Sequence, residues 1–401
     1  MTKRNNELSE TEVVIISGDL LTLLSRPGQL PISQFGPARY NFYVPNMLPE
    51  EEISRLERIS KSVSIDEKEI GPKTISEALY GIVKQETTLN LIPKQFTAYL
   101  LRTREAINVI MDEVTKEGKL PVALPLPNWH FWDLDTKGGG KYNFVYLNGE
   151  TEANLVESFE RAVKKKKLST LILVDPANPL QYRFSEQGVK EIDRVALKYG
   201  VEIIVDDILR GTLEVENRDT IARWLTNPHV VEGLGKRFGE DPFSSFSYVI
   251  RGYDREDASP DIRIECTSKE DFIMAAEIAA ARRYATSPAL TELQNRNAAL
   301  DEALSPAVAE GLKVTRSHPT GLTTLLEFPK KWDIVGELFA QTAFVNGVVV
   351  RSMNCFYPSN HKIPKNFENM IRLAVGNMEV SDIRRGANKV MQGIKYFRGQ
   401  Q

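Results

Sequence analysis

Between residues 152 and 233 the chain alternates two kinds of hydrophobic pattern. Residues 152–165 and 185–199 bring apolar side chains round every three to four positions, the period of a helix with one buried face. Residues 168–174 and 201–205 are instead mostly apolar and rich in β-branched side chains, as suits strands covered on both faces in a parallel sheet. Gly200 stands between the second helix and the strand that follows, where a helix C-cap glycine belongs. The succession predicts a βαβ unit. A third apolar run, 229–232, leads into Gly233-Leu234-Gly235-Lys236-Arg237-Phe238-Gly239, and helical patterns follow at 268–284 and 288–304. From residue 312 onward the pattern predicts a strand, a helix at 332–342, strands at 347–351 and 370–375, and a last helix at 380–394.

These elements imply an α/β fold of two unequal parts. Residues 51–304 form a large domain with a mainly parallel central sheet, residues 305–401 a small C-terminal α/β domain, and residues 1–50 a segment that packs with the small domain. A length of 401 residues and a hydrophobic content of 42% are enough to bury two such cores. Lys and Arg number 51 against 54 Asp and Glu, a net charge of -3, so no basic field is present to attract nucleic acid or an anionic membrane. The lysine run 164–167 reads as a solvated helix end, where positive charge suits the dipole. The two cysteines, Cys266 and Cys355, make neither a disulfide framework nor a thiolate metal site. The apolar stretch 13–24 is interrupted by Ser17, Gly18 and Asp19, which fits neither a signal peptide nor a membrane span. A cytoplasmic protein is expected. The four histidines show no metal-ligand spacing, so no metal is expected either.

In open α/β sheets ligands sit beyond the carboxyl ends of the strands. Here those positions are polar. Asp175-Pro176-Ala177-Asn178-Pro179 follows the first run, Asp206-Asp207 the second, and Gly235-Lys236 the third. Pyridoxal phosphate (PLP) needs a carboxylate to keep its pyridine nitrogen protonated, a lysine to hold its aldehyde as an imine, and a donor to its ring oxygen. Asp206, Lys236 and Asn178 supply the three. Trp129, on a predicted loop with Phe131 and Trp132 as competitors, offers a face to stack on the ring, and Arg372 offers a bidentate partner for a substrate carboxylate. Singly, each has a bland reading: Asn-Pro is a common turn, and Lys236 in a glycine-rich loop is an ordinary surface lysine.

Together these residues resemble the class I/II, fold-type I, PLP-dependent aminotransferases. The resemblance runs over most of the chain, with Trp129, Asn178-Pro179, Asp206-Asp207, Lys236 and Arg372-Leu373 in the family's order. It implies Lys236 as the catalytic Schiff-base lysine, Asp206, Asn178 and Trp129 as cofactor ligands, and Arg372 as the substrate-binding residue. It further implies an amino-acid substrate, an α-keto acid partner and a homodimer with sites at the subunit interface. The chain also departs from the family. The usual serine three residues before the lysine is Gly233, the usual arginine eight after it is Ser244, and the tyrosine three after the aspartate is Leu209. Phosphate binding then falls to Thr103 and Arg104, at the start of a helix, and to Arg237. Loss of the tyrosine leaves Asn178 as donor to the ring oxygen and admits elimination, cyclisation or oxidation beside transamination. A non-catalytic PLP-fold protein is a third reading, against which Asp206 and Lys236 speak. A dinucleotide site fails because the glycine spacing is wrong, and a P-loop fails because no Gly-Lys is followed by Ser or Thr.

Overall fold

The structure is a computed structural model. It describes residues 40–41, 96–99, 103–116, 120–129, 142–210, 219–233, 247–252, 263–265, 290–358, 361–376 and 378–399. The expected helix at 268–284, the stretch 13–24, Lys236, Arg237 and Ser244 lie outside the described residues.

In chain order the strands of the first part are β1 (Tyr40–Asn41), β2 (Phe96–Tyr99), β3 (Val122–Leu126), β4 (Phe144–Asn148), β5 (Thr170–Val174), β6 (Glu202–Asp206), β7 (His229–Gly233), β8 (Ser247–Ile250) and β9 (Arg263–Glu265). All but β1 join one eight-stranded sheet in the order β4-β3-β5-β6-β7-β8-β2-β9. Only β8 opposes its neighbours; the other pairings are parallel. Strands β3, β5 and β7 are buried at every position, which is why their sequences run apolar instead of alternating. The helix Glu152–Lys165 joins β4 to β5, and Glu186–Tyr199 joins β5 to β6. Thr151 and Ser185 cap them by accepting from the backbone N–H groups of Asn154 and Gly188, so Ser185 is the cap and not the first helical residue. Gly200 ends the second helix at φ 66°, left-handed backbone that glycine adopts without a Cβ penalty.

The second part contains β10 (Lys313–Thr315), β11 (Thr323–Glu327), β12 (Val348–Val349), β13 (Arg351–Ser352) and β14 (Met370–Ala374). An antiparallel sheet runs β10-β11-β14-β13, while β12 pairs in parallel with β1 of the N-terminal segment. The helices 290–309, Gly336–Val345 and Val380–Gly399 complete this part. Several predicted boundaries moved, the last helix among them, which runs to Gly399 and not to 394. The strand expected at 347–351 is two short strands, because β12 bonds to β1 and β13 to β14. The helix expected at 332–342 begins at Gly336, since Lys330–Trp332 is a separate turn closed by Asp333 at φ 49°. The helix expected to stop at 304 runs through Pro306. Proline cannot donate to the Glu302 carbonyl, and the Ser305 hydroxyl does so at 2.8 Å. Among the described residues no helix is long and apolar enough to cross a membrane.

A buried polar cluster ties the carboxyl ends of β6 and β7 to the start of β8. Arg210 pairs with Asp207 at 3.4 Å, bonds the Tyr248 hydroxyl at 3.2 Å, and donates to Glu232, which also accepts from Tyr248. Burial raises the Asp207 carboxyl to about 7, against the opposing pull of Arg210. A carboxyl raised on folding favours the folded state while it keeps its proton. Its contribution is therefore complete below the unfolded value near 3.8 and is lost as pH rises to about 7. Melting temperature should fall across that window more steeply in the wild type than in Asp207→Asn. Parallel profiles for the two proteins would refute the assignment.

Candidate active site

The carboxyl ends of β3, β5 and β6 open onto a cleft, the place where ligands sit in open α/β sheets. Asp206, the last residue of β6, lines it, as do Asn178 from the loop after β5 and Trp129 from the loop after β3. Thr103 and Arg104 reach it from the start of the helix Thr103–Thr115, and Arg372 from β14 of the small sheet. Six of the predicted site residues thus meet in one place. The remaining two, Lys236 and Arg237, follow the end of β7 outside the described residues.

The geometry fixes how several of these groups present themselves. Asp206 is only 5% exposed, and one carboxylate oxygen accepts from the Ile208 N–H at 3.1 Å. The Asn178 Oδ1 accepts from Arg372 Nη1 at 3.2 Å. A guanidinium only donates, so the amide oxygen must face Arg372 and the NH₂ remains for the cleft. The guanidinium carbons of Arg372 and Arg351 lie 5.1 and 4.8 Å from the centre of the Trp129 ring, within cation–π range. Burial, and then the neighbouring Arg351, lower Arg372 from 12.5 to about 9. Arg372 still carries its charge at neutral pH.

The end of the cleft suited to a phosphate is built at the start of the helix Thr103–Thr115, where the helix dipole favours an anion. Gly233 now has a physical reason. A Cβ at that position would collide with the Thr103 hydroxyl oxygen, so the hydroxyl occupies the space into which a serine side chain would grow. Gly233→Ala should displace Thr103 and weaken PLP retention roughly tenfold, the value of one hydrogen bond to a charged group. Equilibrium dialysis against PLP measures this, and unaltered affinity would refute it.

Sequence reading missed other lining residues. Ile107, Val174 and Ile208 supply apolar walls. Leu209, which the sequence had singled out where the aminotransferase resemblance puts a tyrosine, lines the cleft too. Thr323 was missed because it lies inside a strand without a motif. Arg351 was missed because its importance comes only from its register opposite Arg372.

No family model matches the chain, and no curated protein matches it by sequence. Solved structures do. A double mutant of aspartate aminotransferase from Thermus thermophilus superposes with a TM-score of 0.65 at 17% identity, over 88% of this chain and 91% of its own. LysN, an α-aminoadipate aminotransferase from Thermus thermophilus complexed with N-(5'-phosphopyridoxyl)-L-leucine, gives 0.66 at 16%, over 90% and 93%. The aromatic aminotransferase of Pyrococcus horikoshii OT3 gives 0.67 at 16%, over 92% and 97%. The chain has the fold of the fold-type I aminotransferases.

The residues present fit PLP. A buried carboxylate, an amide NH₂, an indole face and a helix start line one cleft. Among the described residues no group of His, Cys, Asp and Glu is placed to hold a metal ion.

Proposed function

We propose that this protein is a PLP-dependent enzyme acting on an α-amino acid, and that the reaction is transamination. One observation carries the reading: the cleft gathers Asp206, Asn178, Trp129, the start of the helix Thr103–Thr115 and Arg372. In this reading Asp206 would hold the pyridine nitrogen, Asn178 would donate to the ring oxygen and Trp129 would stack on the ring. Thr103 and Arg104, with Arg237, would hold the phosphate, and Lys236 would anchor the cofactor's aldehyde. PLP supplies, when bound, an electron sink for charge that develops at the substrate's α carbon. Arg372 would orient the substrate through its carboxylate, and the Lys236 amine would move the α proton.

A second reading rests on Leu209. A buried alkyl side chain lines the cleft where a phenol would otherwise donate to the ring oxygen, which favours a lyase, cyclase or oxidase reaction on the amino acid. An absorbance spectrum taken while the standard L-amino acids are added one by one tests both. Transamination requires a spectral change with one amino acid and 2-oxo acid release that scales with an added α-keto acceptor. Product formed beyond one equivalent per active site without any acceptor would select the second reading, and a protein that takes up no PLP would end both. We propose further that the enzyme is a cytoplasmic homodimer, a stoichiometry that light scattering of the purified protein checks.

A further inference from the structure

The loop that follows Asn178 contains a buried residue in strained backbone. Gln181 has φ 67°, in the left-handed region that side chains other than glycine's adopt rarely, and it is only 4% exposed. Its N–H donates to the Ala177 carbonyl at 2.6 Å. Its side chain makes two contacts from Nε2: 3.2 Å to the Pro179 carbonyl and 2.6 Å to the Thr323 hydroxyl oxygen in β11. The first settles the second. A carbonyl oxygen only accepts, so the amide end beside Pro179 is the NH₂, and the Thr323 oxygen beside it is an acceptor. The one proton of the Thr323 hydroxyl is therefore directed away from Gln181.

The sheet register shows what lies in the other direction. Thr323 pairs with Ala374 and Leu325 with Arg372. Facing partners share a side of the sheet, and residues two apart in a strand share it too, so Thr323 and Arg372 leave the small sheet from one face. Both line the cleft. Thr323 is 2% exposed and Arg372 1%, so a ligand that reached them would meet a hydroxyl donor beside a guanidinium in a site shielded from water. The same loop secures both groups: Asn178 holds Arg372, and Gln181 holds Thr323.

We propose that Thr323 is a second ligand to the substrate carboxylate beside Arg372, and that Gln181 is a positioning residue that turns the Thr323 hydroxyl proton into the cleft. This rests on the proposed function only in taking an amino acid as the substrate. The strain at Gln181 then has a purpose, since a left-handed residue at this point of the loop brings a side-chain amide to the small sheet.

The test uses PLP-loaded protein, with PLP occupancy read from visible absorbance before anything else. Calorimetry with the twenty standard L-amino acids identifies the tightest binder, and its dissociation constant is then measured for Thr323→Val, Thr323→Ser and Gln181→Gly. Thr323→Val should weaken binding about tenfold, the value of one hydrogen bond to a charged group, and should raise KM with kcat and PLP occupancy unchanged. Thr323→Ser, which keeps the hydroxyl, should restore binding. Gln181→Gly relieves the strained φ while removing the amide, so it should hold or raise the melting temperature while weakening binding. A residue needed only for folding would lose stability and binding together. Wild-type affinity in Thr323→Val, equal weakness in Thr323→Ser, or joint loss of stability and binding in Gln181→Gly overturns the proposal. A wild type that takes up no PLP overturns the enzyme reading and this inference with it, and is seen in the first measurement.

Discussion

Alanine at position 236 should remove turnover almost completely while leaving a folded protein that still binds PLP weakly. The argument begins at the end of β7. Gly233 closes that strand against Thr103, whose side chain lines the cleft, and Lys236 follows three residues later in the sequence. No other lysine follows a strand end at the aminotransferase spacing from Asp206. The variant would lose both the covalent hold on the cofactor and the amine that moves the α proton. A positioned acid–base group alone is worth roughly 10²–10⁴-fold in rate, so the combined loss should be at least that large. Asp206, Asn178 and Trp129 remain in place, which is why residual PLP binding is expected. Borohydride reduction of the wild type followed by peptide mapping should place the cofactor on the peptide containing Lys236. An adduct on another lysine, or undiminished turnover in Lys236→Ala, would remove the basis of the catalytic assignment.

The central βαβ run could be read from the sequence because its signals are local. Gly200 marks the end of a helix through its backbone freedom. The strands of the same run declare themselves because burial on both faces forces them to be apolar. What failed depended on partners distant in the chain. Nothing within residues 347–351 reveals that Val348–Val349 pairs with Tyr40–Asn41 while Arg351–Ser352 pairs with β14. The helix through Pro306 was hidden because it needs the compensating bond from Ser305, a geometric fact with no periodicity of its own.

The site divides the same way. Asp206 and Asn178 were legible because the ends of parallel strands are where ligands sit, and polar residues there are conspicuous after apolar runs. Gly233 read only as a missing serine. Its meaning, that Thr103 fills the space, required the helix start and the strand end to be brought together. Thr323 and Gln181 carry no sequence signal, since their roles arise from the contact between the large sheet's loops and the small sheet.

Arg372→Lys should raise KM for the amino-acid substrate with a much smaller effect on kcat, and the reason lies in both shape and charge. The guanidinium can grip a carboxylate through two parallel N–H donors, whereas an ammonium is a point charge that cannot reproduce the fork. One lost charged hydrogen bond is worth about 1.5–3 kcal/mol, so KM should rise roughly 10- to 150-fold. The pH dependence gives a separate check. Burial and then Arg351 depress Arg372 to about 9, so its grip should be full at neutral pH and lost as pH rises through about 9. A carboxylate without an amine, such as pyruvate, isolates this effect from titration of the substrate's own amino group. Its dissociation constant should climb above about pH 9 in the wild type. In Arg351→Met, where the neighbouring charge is gone, the rise should begin at higher pH. A binding profile flat to about pH 11 in both proteins, or an Arg372→Lys enzyme with unchanged kcat/KM, would show that the carboxylate is held elsewhere.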